Sequence, residues 1–403
     1  MSLLGSFGGV GRVSAALLRH RMIAATAGTA AVVIVAGCTF AATSAHSSGQ
    51  QNLVNAGNSK PATKSAAPAE PLRLLSVSPA GGTRDANGGA PITLTFSSAL
   101  SPATRLPTLA PKITGSWQVS GVTATFTPSA GYLPDTKVTL TVPGGMTGSR
   151  AGSLTNASRV TFTTGNYSTL RLQQVLAQLG YLPLTWTPAA GDAAAPAPAG
   201  LNEQVSDAYA PPAGTLTFKP GYPSQLTSQW HAGRSNMLDD GAIRAFEYNH
   251  GLTMDGVAGP QVWAALLAAA AKNQVNPSGY TYALASQDSP NETLKVWHNG
   301  KLILNTPSNT GIAAANTQDG TFPVYERLQF QIMKGTNPDG TKYSDPVYWI
   351  SYFNGGDAVH YFDRGSYGFY QSLGCVELPL SPAKFIWPYL TYGTLVTVTG
   401  PVA

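Results

Sequence analysis

Two residues near the carboxyl end of the chain, His360 and Cys375, combine a base with a nucleophile. A thiol attacks as its thiolate, so a nucleophilic cysteine needs an imidazole in hydrogen-bond reach that takes its proton and later returns it. Gly374 permits a tight turn whose amides point at a developing oxyanion, where one donor contributes roughly 3 kcal/mol. His298 lies in a predicted hairpin, because Asn299-Gly300 suits a two-residue turn, and is expected to be solvated, which leaves His360 as the base. The bare pairing is also compatible with two core residues and an inert thiol.

The only other cysteine, Cys38, belongs to the amino-terminal region. A flank with three arginines precedes the short apolar run 22–37, which is typical of a secretory signal. The run ends in Val-Ala-Gly directly before Cys38 and resembles the lipobox of bacterial lipoproteins. This resemblance implies lipidation of Cys38 and a stable membrane anchor, and it leaves Cys375 without a partner in the chain. A plain signal peptide or an uncleaved anchor is the alternative.

Composition favours turn-rich β domains over a helical bundle. Hydrophobic residues make up 43% of the chain and charged residues 11%, and there are 43 glycines and 30 prolines. The formal charge of +5 is modest and forms no basic stripe interleaved with aromatics, so nucleic acid is not an expected partner.

The pattern along the chain predicts a multidomain, mainly β protein. Large apolar residues are scarce from residue 39 to residue 70, period-two alternation follows, leucines then recur at helical spacing, and alternation returns near residue 280. The predicted parts are a signal peptide at 1–37, a disordered tether at 38–71, an immunoglobulin-like sandwich at 72–165, a small helical domain at 168–273 and a mostly β catalytic domain at 279–400.

The helical domain resembles the small peptidoglycan-binding domain. Residues 172–181 match its opening, and 242–247, 251–260 and 263–267 match its closing half, with the Asp-Gly turn, the Gly-Pro helix start and the tryptophan in the family's order. An Ala/Pro/Gly-rich insertion at 185–235 separates the halves. The domain therefore either binds glycan or serves as architecture.

The last domain resembles the catalytic domain of the L,D-transpeptidases, the YkuD type. The family's signature is a histidine, a spacer and then Ser/Thr-His-Gly-Cys, onto which His360, Ser372, Gly374 and Cys375 fall. Residues 319–323 are similar to a turn that leads to the family's site. The resemblance implies His360 as base, Cys375 as nucleophile, and Ser372 and Gly374 as parts of the oxyanion turn.

Two positions depart from the family pattern. Leu373 stands in place of the second histidine, and Glu377 in place of the arginine or asparagine often found after the cysteine. Because the resemblance implies the first histidine as base, loss of the second does not by itself remove catalysis and bears instead on acceptor handling and on the oxyanion turn.

The sequence contains no HExxH, CxxC or acidic cluster that would suggest a metal, and no cofactor is expected. The resemblance implies a wall-directed reaction. The thiolate attacks a tetrapeptide stem, D-Ala leaves, and the side-chain amine of a second stem resolves the thioester to give a 3→3 crosslink. The expected protein is an actinobacterial-type lipoprotein on the outer face of the membrane, with stem peptides as donor and acceptor and Cys38 as its lipid link to the membrane.

Three further residues are candidates for contacts with the stem peptide. Tyr348 and Trp349 lie on an alternating segment and either line the groove or pack in a β core. Arg364 either pairs with a stem carboxylate or is a solvated surface residue.

Two other functions remain open. Water in place of the amine would make the protein an L,D-carboxypeptidase or hydrolase of stem peptides. Decay of the site after loss of the second histidine would leave a non-catalytic wall-binding lipoprotein, although retention of both His360 and Cys375 argues against this.

Overall fold

The structure is a computed structural model that describes residues 70–150, 152–189 and 201–400. The predicted signal peptide, the lipidation site Cys38 and nearly all of the predicted tether lie outside the described residues. No helix in the described part is long and apolar enough to cross a membrane. Strands dominate the described residues, and the prediction of a mainly β, multidomain chain is confirmed.

The first module is a sandwich of two antiparallel sheets, ordered β1-β2-β5-β4 and β3-β6-β7. Its core forms because alternate residues of each strand, such as Leu94, Phe96 and Leu140, point between the sheets and are fully buried. The strands are β1 (Leu74–Ser78), β2 (Ile92–Phe96), β3 (Thr108–Ala110), β4 (Gly115–Ser120), β5 (Thr123–Pro128), β6 (Lys137–Val142) and β7 (Ser158–Thr163).

The second module packs helices around a buried leucine-rich core. Its elements are α1 (Thr169–Gln178), β8 (Leu184–Pro188), α2 (Leu201–Tyr209), β9 (Gly214–Phe218), α3 (Ser224–Thr227), α4 (Met237–His250) and α5 (Pro260–Ala271). Helix α4 starts at a capping box in which Asn236 and Asp239 exchange hydrogen bonds, and it ends at Gly251 in the left-handed conformation. Helix α5 begins with Pro260, as the Gly-Pro signal predicts.

The insertion at 185–235 contacts both neighbouring modules. On one side Asn87 of the sandwich donates to the carbonyl and hydroxyl of Ser206 in α2, and the Tyr209 hydroxyl donates to the Tyr132 carbonyl. On the other side the Tyr222 ring packs edge-on against Tyr280, which directly precedes the first strand of the last module. The insertion thus links the three modules.

The last module has a five-stranded sheet, β12-β11-β10-β20-β14, a four-stranded sheet, β15-β16-β17-β19, and the short pair β13-β18. Its main core lies between the two larger sheets. The elements are β10 (Thr281–Ser286), β11 (Thr293–His298), β12 (Lys301–Pro307), β13 (Thr310–Gly311), a 3₁₀ turn (Ala313–Ala315), β14 (Gly320–Pro323), β15 (Glu326–Thr336), β16 (Lys342–Asn354), β17 (Asp357–Tyr361), β18 (Tyr370–Ser372), β19 (Val376–Leu378), α6 (Leu380–Ile386) and β20 (Leu395–Thr399).

The hairpin predicted from Asn299-Gly300 is confirmed between β11 and β12. Both turn residues have positive φ, 49° for Asn299 and 77° for Gly300, as a two-residue turn of this kind requires. His298 at the end of β11 is part-buried rather than solvated, with Nδ1 3.0 Å from Thr281 Oγ1.

A β-bulge changes the faces of β16. Between the pairs Tyr348↔Tyr361 and Ser351↔Val359, strand β16 advances three residues and β17 only two. Trp349 occupies the extra position with φ 59°. The bulge explains why simple alternation, expected for this segment from sequence, does not continue through it.

Candidate active site

The parallel pair β17 and β19 sets the positions of His360 and Cys375. Val359 and Val376 are register partners and point into the main core. Their neighbours therefore face the other way, with His360 opposite Glu377 and Cys375 two residues before Glu377 on the same face. His360 and Cys375 both line one cavity of about 720 Å³. The structure thus brings the predicted base and nucleophile to the same space.

The other walls of this cavity come from the hairpin β15–β16 and from the turn before Cys375. The hairpin contributes residues from around its tip and from one face of its strands. The turn contributes Leu373, at the place of the family's second histidine. The hairpin residues that line the cavity include Met333, Asn337, Asp339, Tyr343, Asp345 and Val347.

His360 is 3% exposed, and its hydrogen bond determines its tautomer. Nδ1 lies 3.0 Å from the Tyr361 carbonyl oxygen, which only accepts, so Nδ1 carries the proton. Nε2 is therefore the nitrogen with a free lone pair. Burial lowers the pKa of His360, and its hydrogen bond to the Tyr361 carbonyl and the charge of Glu377 only partly oppose this. The resting imidazole is neutral and able to accept a proton at Nε2.

The Cys375 thiol is held in its protonated form. Its sulfur is 3.8 Å from the Gly356 carbonyl, to which it donates a hydrogen bond. Burial raises the pKa of Cys375 to about 12, and the negative charges of Asp357 and Glu377 add to the rise, against one hydrogen bond from the Ala358 backbone. At neutral pH the pair is therefore a neutral thiol and a neutral imidazole, not a thiolate and an imidazolium.

Ser372 and Gly374 shape the turn that carries the thiol. The Ser372 hydroxyl donates to the Cys375 carbonyl at 2.6 Å and accepts from the Gly374 N–H at 3.2 Å. Gly374 has φ +114°, and a side chain there would collide with Oδ1 of Asp357. Only glycine fits this position without displacing its neighbour.

Arg364 and Glu377 form a two-point ion pair at the edge of the cavity. Arg364 Nε donates to Glu377 Oε2 at 2.8 Å, and Nη2 donates to Oε1 at 2.7 Å and to the Gln371 carbonyl at 3.1 Å. The guanidinium also lies 4.6 Å from the centre of the Phe362 ring. Arg364 lines the cavity, but its charge is already neutralised, and a contact with a stem carboxylate stays a prediction.

The structure does not bring Tyr348 and Trp349 to the cavity. Tyr348 is 39% exposed and packs against Phe330, its partner on β15. Trp349 packs into the main core and meets the Trp387 ring edge-on at 5.5 Å. Of the segment 346–354, only Val347 lines the cavity, because the bulge turns the following side chains away.

Asp357 is a cavity residue to which sequence reasoning attached no role. It begins β17, lines the cavity, and lies against Gly374. Burial raises the pKa of Asp357 to about 6. The only hint in the sequence is its position three residues before His360. That spacing indicates no role by itself, because the contact of Asp357 with the turn at Gly374 is created by the fold.

Two family models match the chain. Residues 68–164 match the bacterial Ig-like domain, and residues 282–398 match the L,D-transpeptidase catalytic domain. The chain therefore carries an Ig-like domain and, nearer its carboxyl end, an L,D-transpeptidase-type catalytic domain. No curated protein matches the chain.

Solved structures similar to the chain are themselves described as L,D-transpeptidases. An L,D-transpeptidase from Mycobacterium smegmatis is 14% identical with a TM-score of 0.28, and the match covers 82% of this chain and 100% of that one. L,D-transpeptidase 3 from Mycobacterium tuberculosis is 13% identical with a TM-score of 0.28, over 81% and 98% of the two chains. The catalytic domain from E. faecium is 29% identical with a TM-score of 0.27, over 30% and 96%. These TM-scores are all below 0.5, so the assignment rests on the family model.

Proposed function

We propose that the protein is a cell-wall L,D-transpeptidase that forms 3→3 crosslinks through a thioester on Cys375. The observation that carries the proposal is that His360 and Cys375 line one cavity within a segment that matches the L,D-transpeptidase catalytic domain. The family's action on peptidoglycan peptides supports stem peptides as donor and acceptor.

Acylation begins from the neutral pair. As the sulfur attacks the carbonyl carbon before the terminal D-Ala, the thiol proton passes to Nε2 of His360, whose Nδ1–H stays on the Tyr361 carbonyl. The imidazolium then returns this proton to the departing D-Ala amine, and the thioester remains. A thiol that ionises only during attack is also less exposed to oxidation outside the cytoplasm, because the oxidisable form is the thiolate.

The turn before the nucleophile supplies the oxyanion site in this proposal. The Gly374 N–H already donates to the Ser372 hydroxyl. The N–H of Cys375 is therefore the candidate donor to the oxygen of the tetrahedral intermediate. Ser372 then acts by holding the turn through the Cys375 carbonyl rather than by touching substrate.

The rest of the chain is proposed to deliver this site to the wall. Lipidation at Cys38 would anchor the protein at the outer face of the membrane, the segment 38–71 would act as a tether, and the helical module would either bind glycan or act as architecture. The contacts of the insertion with both neighbouring modules favour the architectural role.

Intact-mass analysis of the full chain, incubated with a tetrapeptide-bearing muropeptide, tests the proposal. We expect an adduct on Cys375 that corresponds to the donor minus D-Ala, followed by a crosslinked product when an acceptor stem is present. An adduct that only ever yields released tripeptide would identify a carboxypeptidase instead. A chain that never becomes acylated would be a wall-binding protein, and the proposal would be wrong.

A further inference from the structure

Asp357 is an uncompensated carboxylate directly beside the proposed nucleophile. Oδ1 lies against Gly374, and the negative charge of Asp357 acts on the Cys375 thiol. Its other contacts are with neutral groups, namely the Asn354 side-chain amide at 3.5 Å and the Gln318 backbone. The ion pairs found among the described residues all use other carboxylates. The side chain is half-buried and lines the cavity, so its charge acts on whatever enters.

The cavity as a whole is negative. Asp339, Asp345 and Asp357 line it without a salt bridge, and Arg364, which pairs with Glu377, is the single lysine or arginine of its lining. His360 is neutral at rest because burial lowers its pKa. A surface of this charge attracts a cationic ligand and disfavours an anionic one.

Resolution of the thioester requires an amine that arrives as a cation. The inference rests on the proposed function, in which the acceptor is a side-chain amine with an ordinary pKa of about 10.4. An ammonium has no lone pair and cannot attack, so a group near the thioester must hold it and accept a proton. Leu373, in place of the family's second histidine, offers neither function.

We propose that Asp357 binds the ammonium of the acceptor beside the Cys375 thioester and takes its proton, so that aminolysis proceeds in preference to hydrolysis. The residue acts in direct contact with the acceptor substrate, as the base for resolution of the thioester rather than for its formation.

The step balances as follows. The ammonium transfers one proton to the Asp357 carboxylate, and the resulting lone pair attacks the thioester carbonyl carbon to form a C–N bond. The C–S bond then breaks, and the sulfur leaves as a thiolate. The new amide nitrogen loses its extra proton, which neutral His360 passes to the thiolate. Asp357 finally releases its proton to solvent, so that ammonium and thioester give amide, thiol and one proton.

The environment of Asp357 suits this task. Burial raises its pKa to about 6, so it is a stronger base than an ordinary aspartate and remains ionised at neutral pH.

The experiment compares two nucleophiles on the same acyl-enzyme. The full chain is acylated with a tetrapeptide-bearing muropeptide, and the thioester is then resolved at pH 7.5 with Nα-acetyl-lysine amide, which is cationic, or with hydroxylamine, which is neutral. Asp357→Asn is expected to lower transfer to the lysine probe relative to hydrolysis at least about tenfold, as for the loss of one charge-assisted contact. Its acylation is expected to be no slower than in the wild type, because the charge of Asp357 opposes ionisation of Cys375, and its reaction with hydroxylamine is expected to fall far less than transfer to the lysine probe.

Two further variants separate charge from structure. Asp357→Glu keeps the carboxylate and is expected to recover part of the transfer to the lysine probe. Asp363→Asn removes an exposed carboxylate outside the cavity lining, and we expect it to change the reaction with neither the lysine probe nor hydroxylamine. The inference would be overturned if Asp357→Asn slowed the reactions with the lysine probe and with hydroxylamine equally, or slowed neither reaction. A wild-type chain that is not acylated at all would overturn the proposed function and this inference with it.

Discussion

Arg364 binds Glu377 through two hydrogen bonds, at 2.8 and 2.7 Å, beside the strand pair that carries the proposed base and nucleophile. Glu377 is nearly buried, with a side chain 6% exposed, whereas that of Arg364 is 29% exposed. The pair therefore satisfies a carboxylate that the fold has removed from water, at the position where the family often has an arginine or asparagine.

Loss of Arg364 should cost more stability than loss of the charge on Glu377. Arg364→Met leaves a buried carboxylate unpaired and is expected to lower the free energy of unfolding by about 3 kcal/mol, whereas Glu377→Gln keeps an acceptor without the charge and should cost less. Denaturant unfolding of the two variants checks this order. The reversed pair, Arg364→Glu with Glu377→Arg, is the control and should recover part of the loss, and equal losses in the two single variants would contradict the account.

Substitution of the proposed nucleophile should abolish covalent chemistry. Cys375→Ala is expected to form neither an acyl-enzyme with a tetrapeptide donor nor an adduct with a carbapenem, as measured by intact mass. Ser372→Ala, which loosens the turn but keeps the thiol, should still form both adducts, more slowly. A carbapenem adduct at another residue of Cys375→Ala would refute the assignment.

The reactivity of Cys375 toward a neutral electrophile should keep rising with pH far beyond the range of an ordinary thiol. Burial and two carboxylates raise its pKa to about 12, so the thiolate fraction, and with it the rate of alkylation by iodoacetamide, should increase about tenfold per pH unit from pH 7 to 10.

Peptide mapping distinguishes alkylation of Cys375 from that of Cys38. Asp357→Asn should raise the rate at fixed pH, because one charge that opposes ionisation is removed. A plateau near pH 8.5 or below in the wild type would instead indicate a thiol activated at rest.

A methyl group at position 374 should damage the site. Gly374→Ala adds an atom that collides with Asp357 and imposes a φ of +114° on a residue with a side chain, so activity should be largely lost and stability reduced by on the order of 1–3 kcal/mol. Gly365→Ala is the matched control, since a side chain there meets open space. Comparable thermal stability and turnover in the two variants would show that the turn at Gly374 is more tolerant than its contacts imply.

Sequence patterns predicted those features that depend on local chemistry. The alternating strands of the sandwich, the Asn299-Gly300 hairpin and the Gly-Pro start of α5 follow from backbone preferences of a few neighbouring residues, and the structure confirms them. The mainly β fold class and the segment related to L,D-transpeptidases are likewise supported. The catalytic roles of His360 and Cys375 stay predictions.

What sequence reasoning missed depends on contacts between distant segments. The bulge at Trp349 reverses the faces of β16 and has no local signature, so alternation alone could not tell whether Tyr348 and Trp349 line the groove or pack in a β core. Neither one lines the cavity. The environment of Asp357 arises from the approach of Gly374, seventeen positions later in the chain. The high pKa of Cys375 has the same origin, because its main cause is burial by segments that sequence alone does not bring together.

The contacts of the insertion at 185–235 have a mechanical consequence. Because Ser206 and Tyr209 meet the sandwich and Tyr222 meets Tyr280, tension between the modules is shared by side-chain contacts as well as by the connecting backbone. A pull on the amino-terminal side of the insertion would then reach the strand next to Tyr280, which belongs to the same sheet as the carboxyl-terminal strand β20.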